Sequence, residues 1–122
     1  MLKKNNIKAL VTVKDGMSRS REYYKKYGVE VLHIPISDHH CTNIGKYFPL
    51  TYNFIEKAIK NKHAVLVHCY AGISRSTSIT IAYLMRKYKL TAEKALEIVK
   101  HARPCLNPNP GFLNQLKLST LL

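Results

Sequence analysis

The 122-residue chain has no tryptophan, only three cysteines and only seven acidic residues. Each shortage excludes something. Cys41, Cys69 and Cys105 are an odd number, which argues against a disulfide framework in so small a chain. They form no CxxC pair, and the histidines do not follow zinc-ligand spacing, so neither a metal nor a cofactor is expected. No apolar run approaches the length of a membrane span. The N-terminal Met1-Leu2-Lys3-Lys4-Asn5-Asn6 is basic but lacks the apolar stretch of a signal peptide behind it. The expected setting is a soluble protein of the cytoplasm or nucleus.

Against the seven acidic residues stand 20 lysines and arginines, a formal charge of +13. Such a balance favours acidic partners: phosphorylated proteins, nucleic acid or anionic lipid head groups. The plainer account is a solvated surface, because no long basic block occurs; the densest clusters are Arg19 to Lys26 and Arg86 to Lys89. Apolar residues make up 46% of the chain, enough for a true core. The length suits one domain over residues 1–122, with no internal repeat or linker.

The apolar pattern predicts alternating strands and helices. Ile7 to Val13 and Val29 to Ile34 read as strands, closed by Asp15-Gly16 and Pro35. Between them Ser18 to Tyr27 reads as a polar helix ended by Gly28. From about Tyr47 to Lys60, Phe48, Tyr52, Ile55 and Ile59 share one helical face, read as core, and Pro49 fits only in the first turn. Ala64 to Val67 is continuously apolar, as in a strand buried on both faces. Ser76 to Lys87 predicts a buried helix, Thr91 caps another that ends at Arg103-Pro104, and a last helix begins near Gly111. The result is an α/β domain, a parallel or mixed sheet covered by helices.

Between the third strand and its helix lies His68-Cys69-Tyr70-Ala71-Gly72-Ile73-Ser74-Arg75-Ser76. Ligands of open α/β sheets bind at the carboxyl ends of strands, where Cys69 falls. A loop turning into a helix there aims backbone N–H groups and the positive helix end at an anion. Gly72 suits such a loop, and Tyr70, Ala71, Gly72, Ile73 and Ser74 supply its amides. Six residues after Cys69, Arg75 folds back, and its planar fork holds two phosphate oxygens at once. The same groups favour a thiolate at Cys69, the form that attacks phosphorus. Ser76 is placed to stabilise that sulfur as a leaving group, and His68 to order the loop. An acid for the leaving oxygen is still needed. Asp38, in a polar loop after the second strand, is the natural candidate, with His39 and His40 as rivals on chemistry alone. Cys41 and Cys105 read as incidental; a redox partnership of Cys41 with Cys69 requires the two thiols to be close in the fold.

These residues resemble the dual-specificity phosphatases among the cysteine phosphatases. His68-Cys69-x5-Arg75-Ser76 matches the signature, and Ile34-Pro35-Ile36-Ser37-Asp38 resembles the general-acid loop. Ala82-Tyr83-Leu84-Met85 resembles the helix after the nucleophile. Arg103-Pro104 with Pro108-Asn109-Pro110-Gly111-Phe112 resembles the closing segment. The resemblance covers roughly residues 7 to 118. It implies Cys69 as nucleophile, Asp38 as general acid, Arg75 as phosphate clamp and Ser76 as thiolate stabiliser. It also implies a shallow pocket open to phosphotyrosine and to phosphoserine or phosphothreonine. One departure from the resemblance is that the further N-terminal strand family members usually carry ahead of the segment matching Ile7 to Val13 is not found; a missing edge strand would expose a sheet edge. The expected function is dephosphorylation of proteins. The alternatives are the same chemistry on a phosphoinositide or an RNA 5′-phosphate, or an inactive phosphate-binding module.

Overall fold

The computed structural model describes residues 7–16, 20–69 and 73–119. Three strands, β1 (Ile7–Val13), β2 (Glu30–Ile34) and β3 (Ala64–Cys69), form a sheet in the order β2-β1-β3, with both pairings parallel. The helices are α1 (Ser20–Lys25), α2 (Phe48–Lys60), α3 (Arg75–Tyr88), α4 (Ala92–Ala102) and α5 (Pro110–Ser119), and a 3₁₀ turn, Gly45–Tyr47, leads into α2. Parallel pairing places the carboxyl ends of all three strands on one rim. The final register row runs Ile34, Val13, Cys69 across the sheet. The loop after β2 and the loop after β3 therefore face each other across the end of β1.

β1 is central and apolar on both faces. Val11 and Val13 join Ile34, Ile55, Ile79 and Phe112 in the core on one side, and Leu10 joins Val29 and Val31 on the other. Pro49 lies in the first turn of α2, where a missing N–H costs nothing. Thr91 caps α4 by accepting a hydrogen bond from Lys94 N at 3.2 Å. Among the described residues, no helix is long and apolar enough to cross a membrane.

The expected double burial of β3 is not observed. Val65 and Val67 are half-buried, whereas Ala64, Leu66 and His68 are exposed. Among the described strands β3 pairs with β1 alone, so it forms an edge, and its alternation is that of a strand covered on one face. Ile59 departs in the same way. It is 44% exposed at the end of α2, beside Val65 and Val67 in an open cleft, while Thr51, Ile55 and Ala58 form the buried face.

α3, the helix that follows the loop after β3, is fixed to α2 by a polar cluster. The Tyr83 hydroxyl donates to Glu56 Oε1 at 2.5 Å, and Lys87 Nζ lies 3.0 Å from the same oxygen. Hydrogen bonds from Tyr83 and then Lys87 hold the Glu56 carboxyl below the usual range. The Arg86 guanidinium sits 3.9 Å from the centre of the Tyr52 ring.

Candidate active site

Cys69 is the last residue of β3 and is buried. Its sulfur faces the first turn of α3: Ser76 N–H points at Sγ from 3.4 Å, and Ser76 Oγ lies 3.3 Å away. The first N–H groups of a helix have no partner within it, and here one of them is directed at the cysteine. That donor and the positive helix end favour the charged sulfur over the thiol. Tyr70, Ala71 and Gly72 lie outside the described residues, so the loop is seen from Ile73 onward.

Arg75 opens α3 and is half-buried. Its Nη1 donates to the carbonyl of Ile36 at 3.1 Å. The residue expected to grip phosphate is thus tied to the loop that carries Asp38, across the carboxyl rim of the sheet. Asp38 is exposed, and its Oδ1 accepts a hydrogen bond from Asn109 Nδ2 at 2.9 Å. His68 lies on the more open face of β3 with its ring only partly shielded from solvent, and no described residue hydrogen-bonds that ring. Partial burial lowers the basicity of its ring. His39 and His40 are exposed beside Asp38, and none of the three cysteines is in a disulfide.

Asn109, to which sequence reasoning gave no role of its own, is bonded to both loops of the candidate site. Its backbone N–H donates to Ser74 Oγ at 2.8 Å, and its side-chain amide donates to Asp38. Its side-chain oxygen accepts from Phe112 N at 2.8 Å, capping α5. One residue thereby joins the loop after β3, the loop that carries Asp38 and a helix end. A neighbouring bond, Asn107 N to the Ile73 carbonyl at 2.9 Å, reinforces the join. Gly111 continues the clamp, because a Cβ there would lie 1.9 Å from the His40 carbonyl oxygen. Gln115 completes it by donating to Thr42 O and accepting from Gly45 N, both at 2.8 Å. A local signal existed in Asn109-Pro110, a cap residue followed by proline at the first helical position. The contact with Asp38, 71 residues away in the chain, had none.

A parallel sheet with a buried cysteine at its carboxyl rim, set against a helix start with an arginine six residues on, is the arrangement expected of a cysteine phosphatase. Comparison with known proteins gives the family. Residues 1–120 match the family described as "Dual specificity phosphatase, catalytic domain". The chain is 39% identical over 116 residues to human dual specificity protein phosphatase 7, an alignment covering 95% of this chain and 27% of that protein. Dual specificity protein phosphatase 1B of Arabidopsis thaliana is likewise 39% identical over 116 residues, covering 95% of this chain and 67% of that one. The crystal structure of DUSP15 superposes with a TM-score of 0.89 at 35% identity, over 98% of this chain and 73% of that one. The chain therefore belongs to the dual-specificity phosphatase catalytic-domain family. It spans about a quarter of the length of human dual specificity protein phosphatases 7 and 9.

Proposed function

We propose that this domain hydrolyses phosphate monoesters of tyrosine, serine and threonine in proteins through a cysteinyl-phosphate intermediate. The observation that carries the reading is the Cys69 sulfur held by Ser76 N–H beside Ser76 Oγ, with Arg75 bonded to the acid loop. In the first step the Cys69 thiolate attacks phosphorus and the ester oxygen departs with a proton from Asp38. Arg75 and the loop amides stabilise the charge spread over the three equatorial oxygens. In the second step Asp38 takes a proton from water, which attacks the phosphocysteine. Inorganic phosphate leaves, and Ser76 Oγ–H donates to the sulfur as its negative charge returns. Membership in a family whose named relatives are protein phosphatases supports phosphoproteins as the substrates.

Asp38→Asn tests the acid. Turnover of an alkyl or phenyl phosphate, whose leaving oxygen needs a proton, is expected to fall by about 10²- to 10³-fold. In kcat/KM, which reports the steps up to loss of the leaving group, a nitrophenyl phosphate, whose leaving group departs as an anion, should lose far less, although its kcat falls with the slowed second step. Equal losses of kcat/KM on both esters, or none on either, would remove Asp38 from the acid role. A panel of phosphopeptides, phosphoinositides and 5′-phosphorylated RNA tests the substrate class, with phosphopeptides expected to be cleaved fastest.

Asn109 is a positioning residue for this acid, and two substitutions separate its duties. Asn109→Asp keeps an acceptor for the α5 cap but loses the donor to Asp38. Asn109→Ala loses both. Both variants should lower kcat about 10- to 100-fold, as misplacement of a reacting group does. Only the alanine variant should also lose about 1 kcal/mol of stability in a denaturant titration. A normal kcat in Asn109→Asp would show that the bond to Asp38 has no part in turnover.

A further inference from the structure

We propose that the turn following Asp38 is a binding site for a borderline divalent cation, Zn²⁺ by its donor set, held by His39, His40 and Cys41. The ligand atoms of these three side chains all lie within 4.8 Å of one another. Neighbours in a strand would point to opposite faces, but here the backbone turns. Thr42 N–H donates to the His39 carbonyl at 2.9 Å, and His39 Nδ1 accepts from Cys41 N at 3.1 Å. The two imidazoles stack, with centroids 4.3 Å apart and an interplanar angle of 28°. Zinc motifs are recognised from spaced ligands, which is why the spacing of the histidines gave no hint of this cluster.

The turn is fixed at both ends before any ion arrives. Asn109 holds Asp38, the His40 carbonyl is seated against Gly111, and Gln115 binds the Thr42 carbonyl. Thr42 Oγ1 also lies 3.1 Å from Ser37 Oγ. The ion therefore has little backbone to order. Two imidazoles and a thiolate suit Zn²⁺ and not Mg²⁺ or Ca²⁺, which prefer oxygen. Tetrahedral zinc at ordinary bond lengths sets such donors about 3.3–3.7 Å apart. The approach this requires, on the order of 1 Å, is within the rotation of three exposed side chains. On binding, the Cys41 thiol proton passes to solvent, and any hydrogen bond that Nδ1 gives up passes to water. Three protein ligands leave one coordination position for water. None of the three residues has a step in the phosphatase chemistry, and Cys41 is an exposed free thiol.

The test must set the catalytic thiol aside, so it uses the full chain with Cys69→Ser. Co²⁺ is titrated as the probe and followed by its thiolate charge-transfer band and its d–d intensity. One equivalent should bind with a tetrahedral spectrum, and Zn²⁺ should displace it. Adding Cys41→Ser should abolish the charge-transfer band, and adding His40→Ala should weaken binding at least about 10-fold, the scale of losing a supporting group at a metal site. Adding Cys105→Ser should change nothing. Unaltered circular dichroism across the set shows that the fold is intact. A charge-transfer band that survives Cys41→Ser, or its absence from the Cys69→Ser parent, overturns the proposal.

Discussion

Cys69→Ser is expected to lower turnover of a small aryl phosphate by roughly 10⁵- to 10⁶-fold, the scale on which loss of a covalent nucleophile is felt. The substitution exchanges sulfur for a smaller oxygen at a buried position and adds no polar group that lacks a partner. Ser76 N–H and Ser76 Oγ, which approach the sulfur at 3.4 and 3.3 Å, would meet the serine oxygen instead. The fold should therefore persist, and so should affinity for phosphate, because the loop amides and Arg75 remain. What disappears is the nucleophile: a serine hydroxyl stays protonated where a thiol ionises near neutral pH. A separation between intact phosphate binding and lost turnover is the diagnostic result. Activity within about 10-fold of wild type would mean that another group attacks phosphorus.

Arg75→Lys should cost on the order of 10³-fold, although it keeps the charge. One of the five guanidinium N–H donors is already committed to the Ile36 carbonyl at 3.1 Å. The others remain for two equatorial phosphate oxygens, in a planar geometry that a lysine ammonium does not reproduce. Lysine also loses the tie to the acid loop, so the phosphate grip and the placement of Asp38 fail together. Because charge at those oxygens builds in the transition state, kcat should fall more than KM rises. A lysine variant with near-normal kcat would show that charge alone is needed and that the fork is not.

Much of this site was legible in the chain because the chemistry is local. Cys69, Arg75 and Ser76 fall within eight consecutive positions between an apolar strand and an apolar helix. The cap at Thr91 and the start of α2 at Pro49 were legible for the same reason, since caps and first turns are set by near neighbours. Burial of β3 was not, because a short apolar run does not say how many strands flank it; among the described strands β3 pairs with β1 alone, and Leu66 is left in the open. The clamp made by Asn109, Gly111 and Gln115 was equally hidden. Its partners, Asp38, His40, Thr42 and Gly45, lie about 70 residues earlier and meet it only through the packing of α5. Residues expected to react were marked by type and order, whereas those that hold them in place were marked only by the fold.

The central claim is that phosphate passes through the Cys69 sulfur. Acid-quenched reaction mixtures, digested and read by mass spectrometry within the first turnovers, test it most directly. The prediction is a single phosphoryl group on the peptide containing Cys69, absent from the Cys69→Ser variant. It should accumulate when Asp38→Asn slows the attack of water on the intermediate while a nitrophenyl ester still loads the enzyme. Full turnover with no phosphopeptide at Cys69 in either protein, or phosphate carried on another residue, would contradict it.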